Sequence, residues 1–317
     1  MKRISDLEFI TLFDFCNRNP ILMSKSIGMS VRNIQNRREQ LRVNYQEDME
    51  THRLEHLIKP KPDRVNLGIE NGTVIVFSDA HFWPGIRTTA YKGLIWAIKN
   101  LDNIKAIINN GDAFDGASIS RFPRIGWDST PTLIEELKAC EIALGEIEDE
   151  AKKTNHKIKL IWPLGNHDAR FENRLAANAP QYEQIKGFSL KDHFPLWEPC
   201  WSTWITDSVV VKHRWKGGIH ATHNNTVNAG VTMVTGHLHS LKVTPFDDYN
   251  GTRYGIDTGT LADPKGPQFE NYLENSPTNW RSGFVILTFY KGHLLWPEVI
   301  KTIDKNHIEF RGEVIKV

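Results

Sequence analysis

The stretch TMVTGHLHS, beginning at Thr232, is a short apolar run that ends in a glycine and two histidines separated by one leucine. In extended chain residues i and i+2 project to the same side, so His237 and His239 face one point in space while Leu238 packs the other way. Two imidazoles on one side suit a metal ion or a catalytic pair. The same layout, an apolar run followed by polar ligand types, recurs four more times. TVIVF leads into Ser78, Asp79, Ala80 and His81, and IKAIIN leads into Asn110, Gly111, Asp112, Ala113, Phe114 and Asp115. IKLIW leads into Gly165, Asn166, His167 and Asp168, and SVVVK leads into His213.

In open α/β sheets, ligands bind beyond the carboxyl ends of strands, so five such ends can build one site from residues far apart in sequence. Asp, His and Asn without a neighbouring thiolate supply oxygen and imidazole donors suited to Mn, Fe, Zn, Co or Ni. Three carboxylates and several histidines exceed what one ion needs, which favours two. A pair of ions roughly 3.5 to 4 Å apart activates water and stabilises an in-line displacement at phosphorus. Phosphoester hydrolysis is the reaction class these residues suggest.

The ordered set D-x-H, G-D-x-x-D, G-N-H-D, H and G-H-x-H, from about residue 73 to 260, resembles the calcineurin-like metallophosphoesterase family. The resemblance implies two mixed β-sheets sandwiched between helices. It places Asp79, His81 and His239 on one metal and Asn166, His213 and His237 on the other, with Asp112 bridging them. A metal-bridging hydroxide would be the nucleophile, His167 the general acid, and Asp168 the carboxylate that orients it. Two divalent ions are implied, with manganese first and Fe, Zn, Co or Ni as alternatives. One departure is that the fourth motif usually reads His-Gly, whereas here it is VKHRW, with His220 and His223 following; His213 is preferred because it directly follows VVV. Asp115 is assigned to holding its loop rather than to ligation.

The elements that must position these residues follow from periodicity. Runs at 73, 104, 158, 208, 231 and 283 read as strands mostly buried on both faces, separated early on by two helical segments, TTAYKGLIWAIKNL and TLIEELKACEIALGEIEDEAKK. The segments HLLWPEVI and HIEFRGEVIKV are expected to add late, partly antiparallel strands. The fold class is therefore α/β, a metallophosphoesterase-like sandwich of two mixed sheets flanked by helices over residues 69–317.

Residues 59–68, KPKPDRVNLG, read as a linker, and residues 1–58 as a small all-α domain. Within it, ILMSKSIGMSVRNIQNRREQLR reads as a helix, a turn at Gly28 and a second helix capped by Ser30, resembling a helix-turn-helix. Val31, Ile34 and Leu41 would form its buried face, leaving Arg32, Asn36 and Arg37 to meet a DNA groove. A docking or oligomerisation module is the other reading of this segment.

The bulk properties set limits. The chain has 317 residues, 24% of them charged, and a formal net charge of +1, which excludes a polyanion-coating or acidic disordered protein. Cys16, Cys140 and Cys200 are far apart and form no CxxC, as in core thiols of a reducing compartment. No apolar stretch has the length to span a bilayer or to act as a signal segment, so a cytoplasmic location is expected. Arg170, Arg214, Arg121 and Arg124 beside the strand ends could bind phosphate, and Trp83, with Phe82, Phe122, Trp127 and Trp215, could stack bases. The favoured expectation is a metal-dependent nucleic-acid phosphodiesterase, a nuclease acting on DNA. The alternatives are a protein or small-nucleotide phosphatase or phosphodiesterase, and a non-catalytic DNA-binding regulator.

Overall fold

The computed structural model describes residues 5–16, 19–41, 63–120, 130–183 and 185–317. The chain divides into two compact units, Met1–Pro60 and Lys61–Val317.

The first unit contains α1 (Asp6–Phe15), α2 (Pro20–Ile27) and α3 (residues 31–41). Asn19 caps α2 by accepting from the Ile21 and Leu22 amides at 2.9 and 3.3 Å, Pro20 occupies the first turn, and Gly28 ends the helix at φ 68°. Ser30 Oγ accepts the Asn33 amide at 3.2 Å and opens α3. Phe9, Phe13, Met23 and Ile34 form a small core, with Leu41 packed at its edge. Arg32 and Asn36 are exposed. Arg37 instead pairs with Asp6 at 2.7 Å and lies 4.9 Å over the Phe9 ring, so its charge is engaged within the unit rather than offered outward.

The second unit is layered. Its larger sheet has the order β15-β14-β13-β11-β2-β3-β4-β5, with β12 on β11. These strands are β2 (Gly72–Phe77), β3 (Ile104–Asn109), β4 (Lys159–Pro163), β5 (Glu198–Cys200), β11 (Gly283–Tyr290), β12 (His293–Leu294), β13 (Glu298–Thr302), β14 (His307–Phe310) and β15 (Glu313–Lys316). Strands β2 to β5 run parallel, and the late strands are antiparallel. The smaller sheet has the order β1-β6-β7-β8-β10-β9: β1 (Arg64–Asn66), β6 (Ser202–Thr206), β7 (Val209–Val211), β8 (Thr232–Thr235), β10 (Gly251–Asp257) and β9 (Lys242–Asp248).

Strand pleating sorts the core into two layers. Val74, Val76, Ala106, Ile108, Val285 and Leu287 meet Ile205, Val209, Val211, Val234 and Ile256 of the smaller sheet. Their alternates Ile75, Phe77, Ile107, Phe284 and Ile286 pack instead under the helices α4 (Thr89–Asn100) and α5 (Leu133–Thr154). The helix Ala221–Ala229 packs on the smaller sheet against β8, β9 and β10. Two mixed sheets flanked by helices is thus the observed architecture. No described helix is long and apolar enough to cross a membrane, and all three cysteines are unbridged.

The expected linker extends too far. Arg64–Asn66 is a strand paired in parallel with β6, because Val65, Leu67 and Ile69 alternate onto the core between the sheets. Ile107 is fully buried in the helix-side core. Its truncation, Ile107→Ala, should cost about 2–5 kcal/mol, read as a lowered denaturation midpoint with an unchanged m-value.

Candidate metal centre

Every strand end singled out in the sequence reaches one place. The turns after β2 and β3 are stitched together by backbone bonds, Asp79 N–H to Gly111 O at 2.8 Å and His81 N–H to Asp112 O at 3.0 Å. Gly236 N–H donates to His213 O at 2.8 Å and joins the ends of β7 and β8. At these turns non-glycine residues adopt left-handed backbone: φ is 52° at Asp79, 39° at His81, 54° at Asp112, 71° at His237 and 55° at His239. Such values are uncommon for residues bearing a Cβ and cluster at functional sites. The two glycines before the ligands have a steric role, since a Cβ at Gly165 would overlap the Asp112 side chain and one at Gly236 would overlap Ser78 and Asp79.

Among the described residues three groups of ligand-type atoms lie within 4.8 Å of one another: Asp79 with His81 and His239, Asp112 with His213 and His237, and between them His81 with Asp112 and His167. The first two carry the expected ligands, and the third sets His167 beside both. Asp79 Oδ1 is 3.0 Å from His239 Nε2, while its Oδ2 accepts the His237 amide at 2.9 Å and the Ser78 hydroxyl. His237 and His239 therefore diverge, one into each group, although their spacing alone suggested a shared point. His213 donates from Nδ1 to Asn110 O at 2.7 Å, which aims Nε2 at Asp112 Oδ2, 3.1 Å away. His220 and His223 are exposed, with the His223 ring against Phe246, so of the three histidines only His213 joins the cluster.

Electrostatics and satisfaction both fit a cation. Burial pushes the Asp79 carboxyl up, but His239 and His213 outweigh it and hold it at about 2. Burial likewise opposes ionisation of Asp112, and His213 and His167 hold it well below the carboxylate range. Burial disfavours charge on His213, yet Asp112 and Asp79 push it up to about 10. The field that keeps a proton on that ring also attracts a divalent ion, whose binding would displace the proton. Asn166 Oδ1, His213 Nε2 and His239 Nδ1 are buried without an oriented hydrogen-bond partner, as metal ligands are when their ion is left out of account. The donor set, nitrogen and oxygen in two adjoining groups, fits two divalent ions.

The partner of His167 differs from expectation. The carboxylate against its ring is Asp115, whose Oδ1 lies 3.2 Å and whose backbone O lies 2.8 Å from His167 Nδ1. Asp115 also orients the first ligand group, its Oδ1 lying 2.8 Å from His81 Nδ1. Asp168 cannot serve, because its carboxylate is buried and already accepts from the amides of Asp112, Gly165 and Phe114 and from Trp162 Nε1, at 2.8 to 3.1 Å. It holds the ends of β3 and β4 in register. On the outer side Arg170 donates to Asp115 O at 2.9 Å and to His167 Nε2 at 3.1 Å. Burial lowers the His167 pKa, but Asp112 and Asp115 outweigh it and the net shift is upward.

Of the other expected contact residues, Arg214 is exposed near His237, Trp83 is half-buried beside His81, and Arg124, with Arg121, Phe122 and Trp127, lies outside the described residues. Two contributions escaped the sequence reading. Asp257, at the end of β10, accepts from the amides of Ser240, Leu241 and Gly259 at 2.9 to 3.3 Å and fixes the turn after His239. YGID followed by TGT is a sixth apolar run with a polar end, so the signal was present. Phe269 and Trp280 wall the first group, with Trp280 centred 4.4 Å from His239, and nothing in their spacing marked them.

Behind the site, Glu136 is fully buried and accepts from Ala117 N–H at 3.0 Å, and its burial pushes the carboxyl up to about 7. The unfolded chain loses this proton near 4.5 while the native state keeps it to about 7, so stability falls as pH rises through that window. Glu136→Gln should remove the slope and gain up to about 3 kcal/mol at pH 8, measured by urea unfolding at pH 4.5 and 8. Asp168→Ala, which strands three backbone donors, should lower the melting temperature and abolish divalent-ion uptake measured by calorimetry.

No protein-family model and no curated protein sequence matches the chain. Among solved structures, the wild-type Vps29 of Entamoeba histolytica complexed with zinc is similar at a TM-score of 0.39 and 12% identity, covering 77% of this chain and 98% of that one. A novel archaeal phosphodiesterase is similar at a TM-score of 0.33 and 16% identity, covering 72% and 99%. The nuclease MPE of Pseudomonas putida is similar at 0.31 and 15%, covering 71% and 86%. At such scores the functional reading rests on the strand-end side chains themselves.

Proposed function

We propose that this protein is a binuclear, metal-dependent phosphoester hydrolase of the metallophosphoesterase type, and that its substrate is a nucleic-acid phosphodiester, DNA first. The observation that carries the reading is the pair of adjoining ligand groups with orphaned donors at the strand ends. Asp79, His81 and His239 would hold one ion and Asn166, His213 and His237 the other, with Asp112 shared; manganese is the first candidate. Divalent ions so held supply an activated water and charge stabilisation for displacement at phosphorus.

The chain's own groups account for the remaining steps. The Asp115 backbone and carboxylate orient the His167 ring, and Asp115 with Asp112 favours its charged form, which suits a proton donor to a leaving oxygen. Arg170 occupies His167 Nε2 in this structure, so donation from that nitrogen requires the guanidinium to turn away. A substrate phosphate would draw it off, pairing with the planar fork while freeing the ring. Arg214 adds an exposed cation beside His237. Arg32 and Asn36 on α3 would add contacts along the nucleic-acid backbone.

A second reading, a small-nucleotide phosphodiesterase with an oligomerisation module, is favoured by the first unit itself. Phe15 is 84% exposed, Ile21 56% and Leu22 48%, while Arg37 is tied to Asp6. Removing residues 1–60 separates the two: loss of turnover on long DNA but not on dinucleotides supports DNA delivery, and a drop in oligomer size with turnover intact supports assembly.

With Mn²⁺, labelled single-stranded or duplex DNA should be cleaved, and phosphodiesters should be preferred over monoesters; cleavage of monoesters alone would sink the nuclease reading. His167→Ala should lose at least about a hundredfold in kcat on a poor leaving group and less on a good one. His237→Ala and His239→Ala should each reduce bound Mn²⁺ from two ions to one, counted by elemental analysis.

A further inference from the structure

Beside the centre is a cleft of about 250 Å³ lined by His81, Trp83, Ile86, Ile142 and Gln268 among others. Its walls are apolar and outward-facing: Ile142 is 75% and Ile86 39% exposed. Its polar rim is already neutralised, since Arg87 forms a two-pronged ion pair with Glu146 at 2.6 and 2.7 Å and stacks 5.0 Å over Tyr91, whose hydroxyl donates to Glu146 at 2.7 Å. One polar side chain in the lining keeps an unspent acceptor: Gln268 Oε1 is buried beside Gly266 and has no hydrogen-bond partner.

We infer that this cleft is the subsite for one nucleobase of the substrate, taking the base attached to the phosphodiester held at the centre. The inference rests on the phosphodiesterase reading above and narrows it. His81 lines the cleft and also belongs to the first ligand group, so the cleft is continuous with the place where phosphate would sit. The half-buried Trp83 and the two isoleucines supply apolar faces for a flat ring, and base–aromatic stacking tolerates any base. An N–H on the base edge satisfies Gln268 Oε1, which an alkyl chain would leave buried and unpaired. A second phosphate has no call on this cleft, because the one arginine among its described lining residues is neutralised by Glu146. The size suits a single ring system splayed out of a strand rather than a stacked duplex, so the subsite selects single-stranded or end nucleotides.

The test uses the full-length protein with Mn²⁺ and two short single-stranded oligodeoxynucleotides of equal length, one bearing bases and one with abasic tetrahydrofuran residues throughout. The wild type should cleave the base-bearing strand with kcat/KM about tenfold higher or more. Ile142→Glu, at a solvent-exposed helix position, and Gln268→Leu should each lower kcat/KM on the base-bearing strand and leave the abasic strand unchanged. Equal cleavage of both strands by the wild type overturns the subsite while leaving the phosphodiesterase reading standing. Cleavage of neither strand counts against the phosphodiesterase reading, and saturation-transfer NMR of thymidine 5′-monophosphate with metal-free protein then decides the cleft separately. Transfer to the base protons from the wild type but not from Ile142→Glu supports it, and no transfer overturns it.

Discussion

The second unit depends on one buried carboxylate. Asp168 begins the helix after β4, yet its two oxygens reach across to the end of β3 and collect the amides of Asp112 and Phe114, together with Gly165 and the Trp162 indole. Neighbouring parallel strands are joined by their ladder only while both remain extended, and beyond the last rung nothing in the backbone fixes their turns relative to each other. Asp168 supplies that fixation. Because the Asp112 amide is held, its side chain is aimed, and because Gly165 is held, Asn166 and His167 emerge beside it. Asp257 repeats the device in the smaller sheet for the turn carrying His239.

These clamps make a second-layer carboxylate hard to tell from a catalytic one in the sequence. Asp168 adjoins His167 and Asp115 lies 52 residues before it, so adjacency favoured Asp168 as the orienting group. The helix that starts at Asp168 turns its side chain inward, away from the ring that precedes it, and leaves the place beside His167 to the residue that completes G-D-x-x-D. Spacing along a strand predicts which side chains share a face, but at a strand-to-helix junction that rule lapses after one residue.

The legible parts were those with strong periodicity. All six apolar runs are strands, and the polar residues ending five of them meet, because burial on both faces leaves little choice of element. Strand β9 was not legible: KVTPFDD is half-buried to exposed and carries a proline, a pattern that an edge strand allows and that composition alone reads as loop. β1 was hidden by the prolines before it. In the first unit the cap at Ser30 and the turn at Gly28 were readable, whereas the ion pair that occupies Arg37 depends on Asp6, thirty-one positions away. Helical period fixes a face; it does not say which charge on that face has found a partner.

The left-handed backbone at Asp79, His81, Asp112, His237 and His239 bears on how such a site responds to what it binds. Conformations of this kind persist only where surrounding packing and hydrogen bonds over-determine them, so they are settled when the sheets assemble. The ordering of the turns is thereby charged to folding, and little of an ion's affinity is spent on arranging its own cage. A centre made in this way has a fixed aperture. Ions held there would be sorted by the separation and direction of donors set in advance, and a poorly fitting ion would meet a cage that does not bend to receive it.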